Sequence, residues 1–278
     1  MTPTLNSEYE NYGVTSKTYD NTRIPLGLKI ILGSFAQHPK ITLKNQRLLD
    51  AGCGTASFLN EIADKFKSVV GLDANSGMLN QARVKFNNIS NVSLTEGRLP
   101  KLPFPADSFD AVMTNQVVHH LDKYPPYYNL NNFTAEAYRV LAPGGSLVIH
   151  TSSKEQVCNS YWFGWIIPEA KERMAKRYAP LTDVVSMLEN KGFEDADVTV
   201  PLDAMYDLDV YLNPKGPFDP KWRACDSMFA LATKEELEHG LKRLKDACDD
   251  GSIEDVMDSA EKWRLRSGQS TFISVRKP

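Results

Sequence analysis

The sequence predicts an α/β fold in three layers, with helices on both faces of a mostly parallel sheet. Three observations carry that expectation. Short apolar runs suited to buried strands alternate with segments of helical period across residues 46–151. A glycine turn, Gly52-Cys53-Gly54, joins the first such strand to the first such helix. The second strand ends in an acid, Asp73, 21 residues after Gly52.

Residues 1–40 read as an N-terminal cap, with a helix expected at Leu26–Phe35. Strands are expected near 47–50, 68–73, 92–95, 110–114 and 146–151, and helices near 56–66, 76–87 and 129–141. Such alternation gives a parallel sheet with right-handed crossovers. PLTDVVSMLENKGF (180–193) is an amphipathic helix that Gly192 stops. FEDADVTV (193–200) reads as strand six and STFISVRK (270–277) as the closing strand. Between these two strands lies an insertion, residues 205–268. It holds a helix opened by a Thr233…Glu236 capping box, with an apolar stripe of Leu237, Leu241, Leu244 and Cys248. A second helix is expected to begin near Ser252 and to carry Ile253, Val256, Met257 and Ala260.

Composition narrows the function classes. The chain has 278 residues, enough for one large domain or a domain with a sizeable insertion, and its 42% hydrophobic content is ordinary for a globular protein. A net charge of −3 argues against a nucleic-acid partner, which leaves a basic footprint. The basic stretch KERMAKR (171–177) reads as a solvated helix face. The polar, acidic N-terminus is unlike a signal or transit peptide, and no apolar run is long enough for a membrane span. The four cysteines show no C-x-x-C spacing, so no metal is expected. Reduced thiols and a cytoplasmic location fit that pattern.

The loop chemistry selects a cofactor. A dinucleotide site wants a third glycine where its pyrophosphate meets the helix start, and here that position is Ser57. Asp50, just before the loop, would repel a pyrophosphate and suits an ammonium. Asp73 is placed to accept hydrogen bonds from ribose hydroxyls. Amino acid, ribose and adenine together make S-adenosylmethionine. In order along the chain come RLLDAGCGTASFL (47–59), LDANSGML (72–79), LPFPADSFDAV (102–112), TNQVVHHLD (114–122) and YRVLAPGGSLVIHT (138–151). On these motifs the chain resembles the class I S-adenosylmethionine-dependent methyltransferases, with a generic likeness to the quinone C-methyltransferase branch. The resemblance implies a Rossmann-like seven-stranded sheet whose last strand runs antiparallel. It also implies methyl transfer to a small molecule, with the acceptor atom (O, N, S or C) and the oligomeric state open. The insertion would then leave and re-enter the sheet at the cofactor edge, as a substrate lid, an oligomerisation element or a stabilising appendage.

The site residues that follow are these. Asp50, Gly52, Cys53, Gly54 and Asp73 are expected to hold the cofactor, with Ala74 and Met78 near the adenine. Gly97-Arg98-Leu99 stands where the family often has Gly-Asp-Ala, so Arg98 cannot accept the adenine hydrogen bond and contacts there fall to backbone near Arg98 and Leu99. Asn115 and Gln116 are expected beside the methionine portion. His119 and His120 are candidate catalytic bases, or else one packs and the other caps the segment. Tyr19 and Arg23 are cofactor candidates and Tyr12 a substrate candidate, through cation–π attraction and carboxylate pairing, with ordinary helix packing as the alternative. Trp162, Phe163 and Trp165 are candidate pocket walls or core, and Asp226 a candidate for orienting substrate or a surface acid. Cys53, Cys158 and Cys225 loosely match the thiol regions of arsenite methyltransferases, against the alternative of unrelated buried thiols. Non-catalytic cofactor binding or scaffolding, and protein or RNA methylation, are the other function classes. TNQVVHH lacks the amide-binding turn expected for that methylation.

Overall fold

The computed structural model describes residues 24–224 and 226–278. The chain forms two compact units. One comprises residues 27–151, 179–199 and 271–278. The other comprises the described residues 24–26 with 152–178 and 200–270. Residues 152–178, which the sequence reading kept with the sheet, therefore group with the insertion.

The first unit is a seven-stranded sheet. Its strands are β1 (Arg47–Ala51), β2 (Ser68–Asp73), β3 (Val92–Glu96), β4 (Phe109–Asn115), β5 (Leu141–Thr151), β6 (Glu194–Thr199) and β7 (Thr271–Arg276), in the order β3-β2-β1-β4-β5-β7-β6. β1 to β5 pair in parallel, and β7 runs antiparallel to both β5 and β6. This is the expected mostly parallel sheet with an antiparallel last strand. β5 begins at Leu141, earlier than expected: Leu141 pairs with Phe109 and Ser146 with Ala111, so the β5 residues between them bulge from the ladder. Gly145 permits the bulge, since a Cβ there would lie 2.8 Å from the Asp110 carbonyl oxygen.

Alternation along the strands feeds two separate cores. Leu49, Val112, Leu147 and Ile273 face the helices Tyr128–Val140 and Leu181–Glu189, which supply Phe133, Ala137, Val184 and Leu188. Leu48, Met113, Val148 and Phe272 face the helices Leu28–Ala36, Ser57–Ile62 and Ser76–Lys85, which supply Ile31, Phe35, Leu59, Ile62, Leu79 and Ala82. These are the expected three layers. The helix anticipated at 56–66 ends at Ile62 and finishes in one 3-10 turn. At the N-terminal edge of the sheet, Asp110 accepts three bonds from Arg47: from its backbone N–H at 2.8 Å, and from Nε and Nη2 at 2.9 Å. Burial alone would raise the Asp110 pKa, but Arg47 outweighs it and holds the carboxyl below the usual range.

The second unit has its own core. The helices Pro168–Ala175, Lys234–Asp250 and Ile253–Ser267 supply Met174, Leu244 and Ala260 to it. At its centre is an aromatic cluster of Tyr161, Trp162, Phe163, Tyr206, Tyr211, Trp222 and Phe229. Two side-chain amides tie the cluster's segments together. Gln156 donates to the carbonyls of Ser267 and Ser270, both at 3.0 Å. Gln269 donates to the Ser160 carbonyl at 3.0 Å and accepts from the Met205 N–H at 2.9 Å. The basic stretch 171–177 is a solvated face only in part. Arg173 pairs with Glu236 and donates to the Leu231 carbonyl, and Arg177 is buried. Thr233 caps the helix Lys234–Asp250 as expected, accepting from the Glu236 N–H at 3.1 Å. No helix among the described residues is long and apolar enough to cross a membrane.

Two glycines separate packing from propensity. A Cβ on Gly240 would lie 2.1 Å from the Ile166 carbonyl oxygen, whereas one on Gly33, exposed on the helix Leu28–Ala36, would meet nothing within 4 Å. Gly240→Ala should destabilise the protein by about 1–3 kcal/mol through overpacking. Gly33→Ala should stabilise it by about 0.5–1 kcal/mol. Denaturant melts of the two variants check both signs.

Candidate functional site

The strand order reverses direction at β1, which pairs with β2 on one side and β4 on the other. In open α/β sheets the crevice outside the strand ends at such a point is where ligands bind. The loops after β1 and β4 border it. The β1 loop is tightly fixed. Its Gly52 and Cys53 N–H groups both donate to the Leu72 carbonyl, at 2.7 and 2.9 Å. Gly52 has φ +88, and a Cβ there would lie 2.5 Å from a Val117 methyl of the β4 loop. Gly54 has φ +54, and a Cβ on it would meet nothing within 4 Å. The backbone at Gly54 thus borders open space.

Register and alternation place four polar side chains on one face of this edge. Leu48 shares a core with Met113 and Val148, so Asp50, Asn115 and His150, each two residues on, point to that same face. Gly71 packs against Cys53 and Leu59 of that layer, which puts Asp73 there too. Asn115 pairs in register with His150, and Asp73 stands two residues beyond the partner of Asp50. Asp50, opposite Met113, therefore lies one pleat repeat deeper than Asp73 and Asn115. The row from β2 to β5 is Asp73, Asp50, Asn115, His150, with Asp50 at the bottom.

The electrostatics follow from that depth. Asp73 accepts from the Gly54 N–H at 2.9 Å and the Asn75 N–H at 2.8 Å. Burial raises its pKa against those donors. Asp50 is 1% exposed, and its buried Oδ1 has no hydrogen-bond partner. Burial first, and the Asp73 charge second, push its carboxyl up to about 8, against a lowering from Asn115. Both amide atoms of Asn115 are also buried without a hydrogen-bond partner. Burial, then Asp50 and Asp73, push the Cys53 thiol up. Its side chain packs into the core, so only its backbone borders the loop.

After β4 the chain turns sharply. Gln116 has φ +55 and donates its N–H to the His150 carbonyl at 2.8 Å. A 3-10 turn at Val118–His120 follows. His119 is buried and His120 half-buried, with ring centroids 4.1 Å apart. Met78 is buried on the helix that Asn75 caps, and Ala74 is half-buried. Arg98 is exposed and Leu99 packs against the core. Tyr12, Tyr19, Arg23 and Cys225 lie outside the described residues.

The aromatic candidates belong to the second unit. Trp162 and Phe163 are each 1% exposed inside its ring cluster, and Trp162 donates to the Tyr211 carbonyl at 2.7 Å. They are core, not pocket walls. Trp165 is half-buried beneath the Arg243 guanidinium, 4.4 Å from its ring centroid. Asp226 accepts from the Tyr206 hydroxyl and, at 2.8 Å, from the Met228 N–H, and so serves this unit's own packing. Cys53 and Cys158 fall in different units, and the described residues contain no cluster of three or more metal-ligating side chains. His150 is the residue the sequence reading passed over. Its only signal was a histidine closing the apolar run Leu147–Ile149. It is buried, stacked on Phe272 at 4.0 Å and edge-on to Phe58.

The depth of Asp50 has a measurable cost. A carboxyl with a raised folded pKa keeps its proton in the folded state while the unfolded chain ionises, so stability falls as pH rises from about 4 toward 8. Asp50→Asn removes that loss. In thermal melts across pH 5–8 the variant should be the more stable at pH 8, by on the order of 2 kcal/mol, and its stability should vary less with pH than the wild type's.

Comparison with known proteins accords with this geometry. Residues 49–149 match the family model described as a methyltransferase domain. A demethylmenaquinone methyltransferase of Listeria welshimeri is 35% identical over 146 residues, covering 49% of this chain and 59% of that protein. The chain spans 59% of that protein's length and 38% of a Mycolicibacterium smegmatis protein described as a probable S-adenosylmethionine-dependent methyltransferase, to which it is 33% identical over 107 residues. Among solved structures, an Anabaena variabilis protein described as a candidate methyltransferase from an antibiotic biosynthesis pathway aligns with a TM-score of 0.71. It is 22% identical, over 91% of this chain and 98% of that one. A Haemonchus contortus phosphoethanolamine N-methyltransferase 2, solved with S-adenosyl-L-methionine, aligns with a TM-score of 0.56 at 19% identity, over 96% of this chain and 57% of that one. These structures share the fold. With the ordered motifs and the strand-end acids, the matched segment 49–149 is a class I S-adenosylmethionine-dependent methyltransferase domain.

Proposed function

We propose that the chain is an enzyme that transfers a methyl group from S-adenosylmethionine to a small-molecule acceptor. The observation that carries this reading is the buried Asp50 carboxyl, with its unpartnered Oδ1, one pleat repeat below Asp73 and Asn115. A dinucleotide would set a phosphate charge against two acids here. A ligand with an ammonium at one end and a ribose in the middle satisfies both. Asp50 would hold the ammonium. Asp73, whose carboxylate oxygens have lone pairs left beyond the Gly54 and Asn75 bonds, would accept from the ribose hydroxyls. The open space at Gly54 gives the ligand close approach to backbone, and Met78 and Leu99 would flank the adenine. The orphaned Asn115 amide would bind beside the amino-acid end.

When bound, the cofactor supplies a methyl group already activated on a sulfonium. The protein's share is then to bind, orient and exclude water. A base is needed only where the acceptor carries a proton, and His119 and His120, immediately after the Asn115–Gln116 turn, are the candidates. The insertion, which lies in the chain between β6 and β7, would serve as the substrate lid. The likeness to demethylmenaquinone methyltransferases supports an apolar ring acceptor as the first to try. Three unpaired cysteines among the described residues support a cytoplasmic setting.

Calorimetry with S-adenosylhomocysteine tests the binding half. Asp73→Ala should weaken affinity by about 1–3 kcal/mol, while exposed Arg98→Ala should leave it nearly unchanged. Wild-type affinity in the Asp73 variant would remove the ribose assignment. Methyl transfer to a panel of quinol, phenol, amine and thiol acceptors tests the catalytic half. His119→Gln and His120→Gln should each keep cofactor affinity, and loss of the base should lower kcat by about 100-fold. Unchanged kcat in both, with a flat pH–rate profile, would leave orientation as the protein's whole contribution.

A further inference from the structure

Two acids stand at different depths in this site, and their donors are unequal. Asp73 accepts from two backbone N–H groups, those of Gly54 and Asn75. Asp50, one repeat deeper, has Oδ1 buried with no donor. The titratable groups facing Asp50 are Asp73 from β2 and Cys53 from the loop, with the Asn115 amide from β4. No cation faces it among the described residues. Two carboxyls this dry carry one negative charge between them more readily than two. The backbone donors keep that charge on Asp73, and the proton stays on Asp50.

We propose that loading of this site is a proton exchange, in which Asp50 is a neutral carboxylic acid in the ligand-free protein and releases its proton to solvent when a ligand ammonium settles against it. The inference rests on the assignment of Asp50 to the ammonium made above. The bookkeeping is simple. The Asp50 O–H bond breaks, water takes the proton, and the ligand ammonium keeps its own protons and donates to the new carboxylate. The incoming positive charge replaces the departing one, so the site's net charge is the same before and after. Burial that pushes the Asp50 carboxyl up to about 8 supports this account. Affinity for an ammonium-bearing ligand therefore rises with pH until Asp50 ionises unaided.

The test counts protons. The full chain is titrated calorimetrically at pH 6.5 with S-adenosylhomocysteine in phosphate and in imidazole, whose ionisation heats differ. The difference should correspond to close to one proton released per ligand bound. The affinity should tighten about tenfold per pH unit between pH 5.5 and 7.5. Methylthioadenosine, which has the ribose and adenine but no ammonium, should bind with no proton released. Asp50→Asn should bind S-adenosylhomocysteine with no release and a flat pH profile. Tight binding of S-adenosylhomocysteine with no proton released, at an affinity constant across that range, overturns the proposal and leaves the site assignment standing. Full proton release persisting in Asp50→Asn overturns it too, by moving the proton to another group. Failure of S-adenosylhomocysteine to bind at any pH overturns the site assignment itself. The buffer, pH and methylthioadenosine arms need only the wild type, so they decide the matter even where the variant folds poorly.

Discussion

Asp50 stands at the end of β1, which pairs on both sides, and it is buried one repeat below the strand-end acid of β2. An acid at that depth opposes folding unless something compensates it. Nothing among the described residues supplies a cation, and Oδ1 has no donor. The surroundings make sense as a frame for that one group. The Gly52 and Cys53 N–H groups are turned inward to the Leu72 carbonyl, and the Gly54 N–H goes to Asp73. Two of the five described non-glycine residues at positive φ stand nearby. Ala56 and Gln116, neither of them glycine, hold φ of 60 and 55 in the loops after β1 and β4. Such outliers persist where the surrounding structure over-determines them, which is characteristic of functional sites. Stability is given up at this edge, and the Arg47–Asp110 cluster and two apolar layers below it hold the sheet together.

The second unit solves a different problem. Beside the long helices Lys234–Asp250 and Ile253–Ser267, the segments that carry its aromatic cluster are short, with four-residue helices and 3-10 turns, so regular backbone adds little to their stability. Stacked and edge-on rings take that role. Phe163 alone lies against Tyr206, Tyr211, Trp222 and Phe229. Buried carbonyls left over by the irregular backbone are met by Gln156, Gln269, Tyr211 and Trp162.

The sheet was legible because its signals are local. A strand's apolar run, a glycine turn and a helix cap each sit within about ten residues, and all seven strands appear close to their expected places. Asp50, Gly52, Gly54 and Asp73 were legible for the same reason: loop chemistry is short-range. The depth of Asp50 relative to Asp73 was not, because it depends on inter-strand register, which no local pattern states. Nor was His150, whose place beside Asn115 comes from pairing two strands far apart in sequence. Trp162 and Phe163 looked equally like pocket or core, and their ring partners lie some 40 to 70 residues downstream. Arg173 and Arg177 looked solvated because Glu236, which receives Arg173, is on another helix.

Gln269 and β7 lie in the last ten residues of the chain. β7 is the only described strand joining β5 to β6, and Gln269 fastens Ser160 and Met205 of the second unit. Neither unit can be completed before residues 269–276 are in place. A nascent chain released from the ribosome tunnel in order would expose the β5 edge and the aromatic cluster's unfinished backbone until residues 269–276 emerge. Closure of loops this long makes folding slow and favours capture by chaperones.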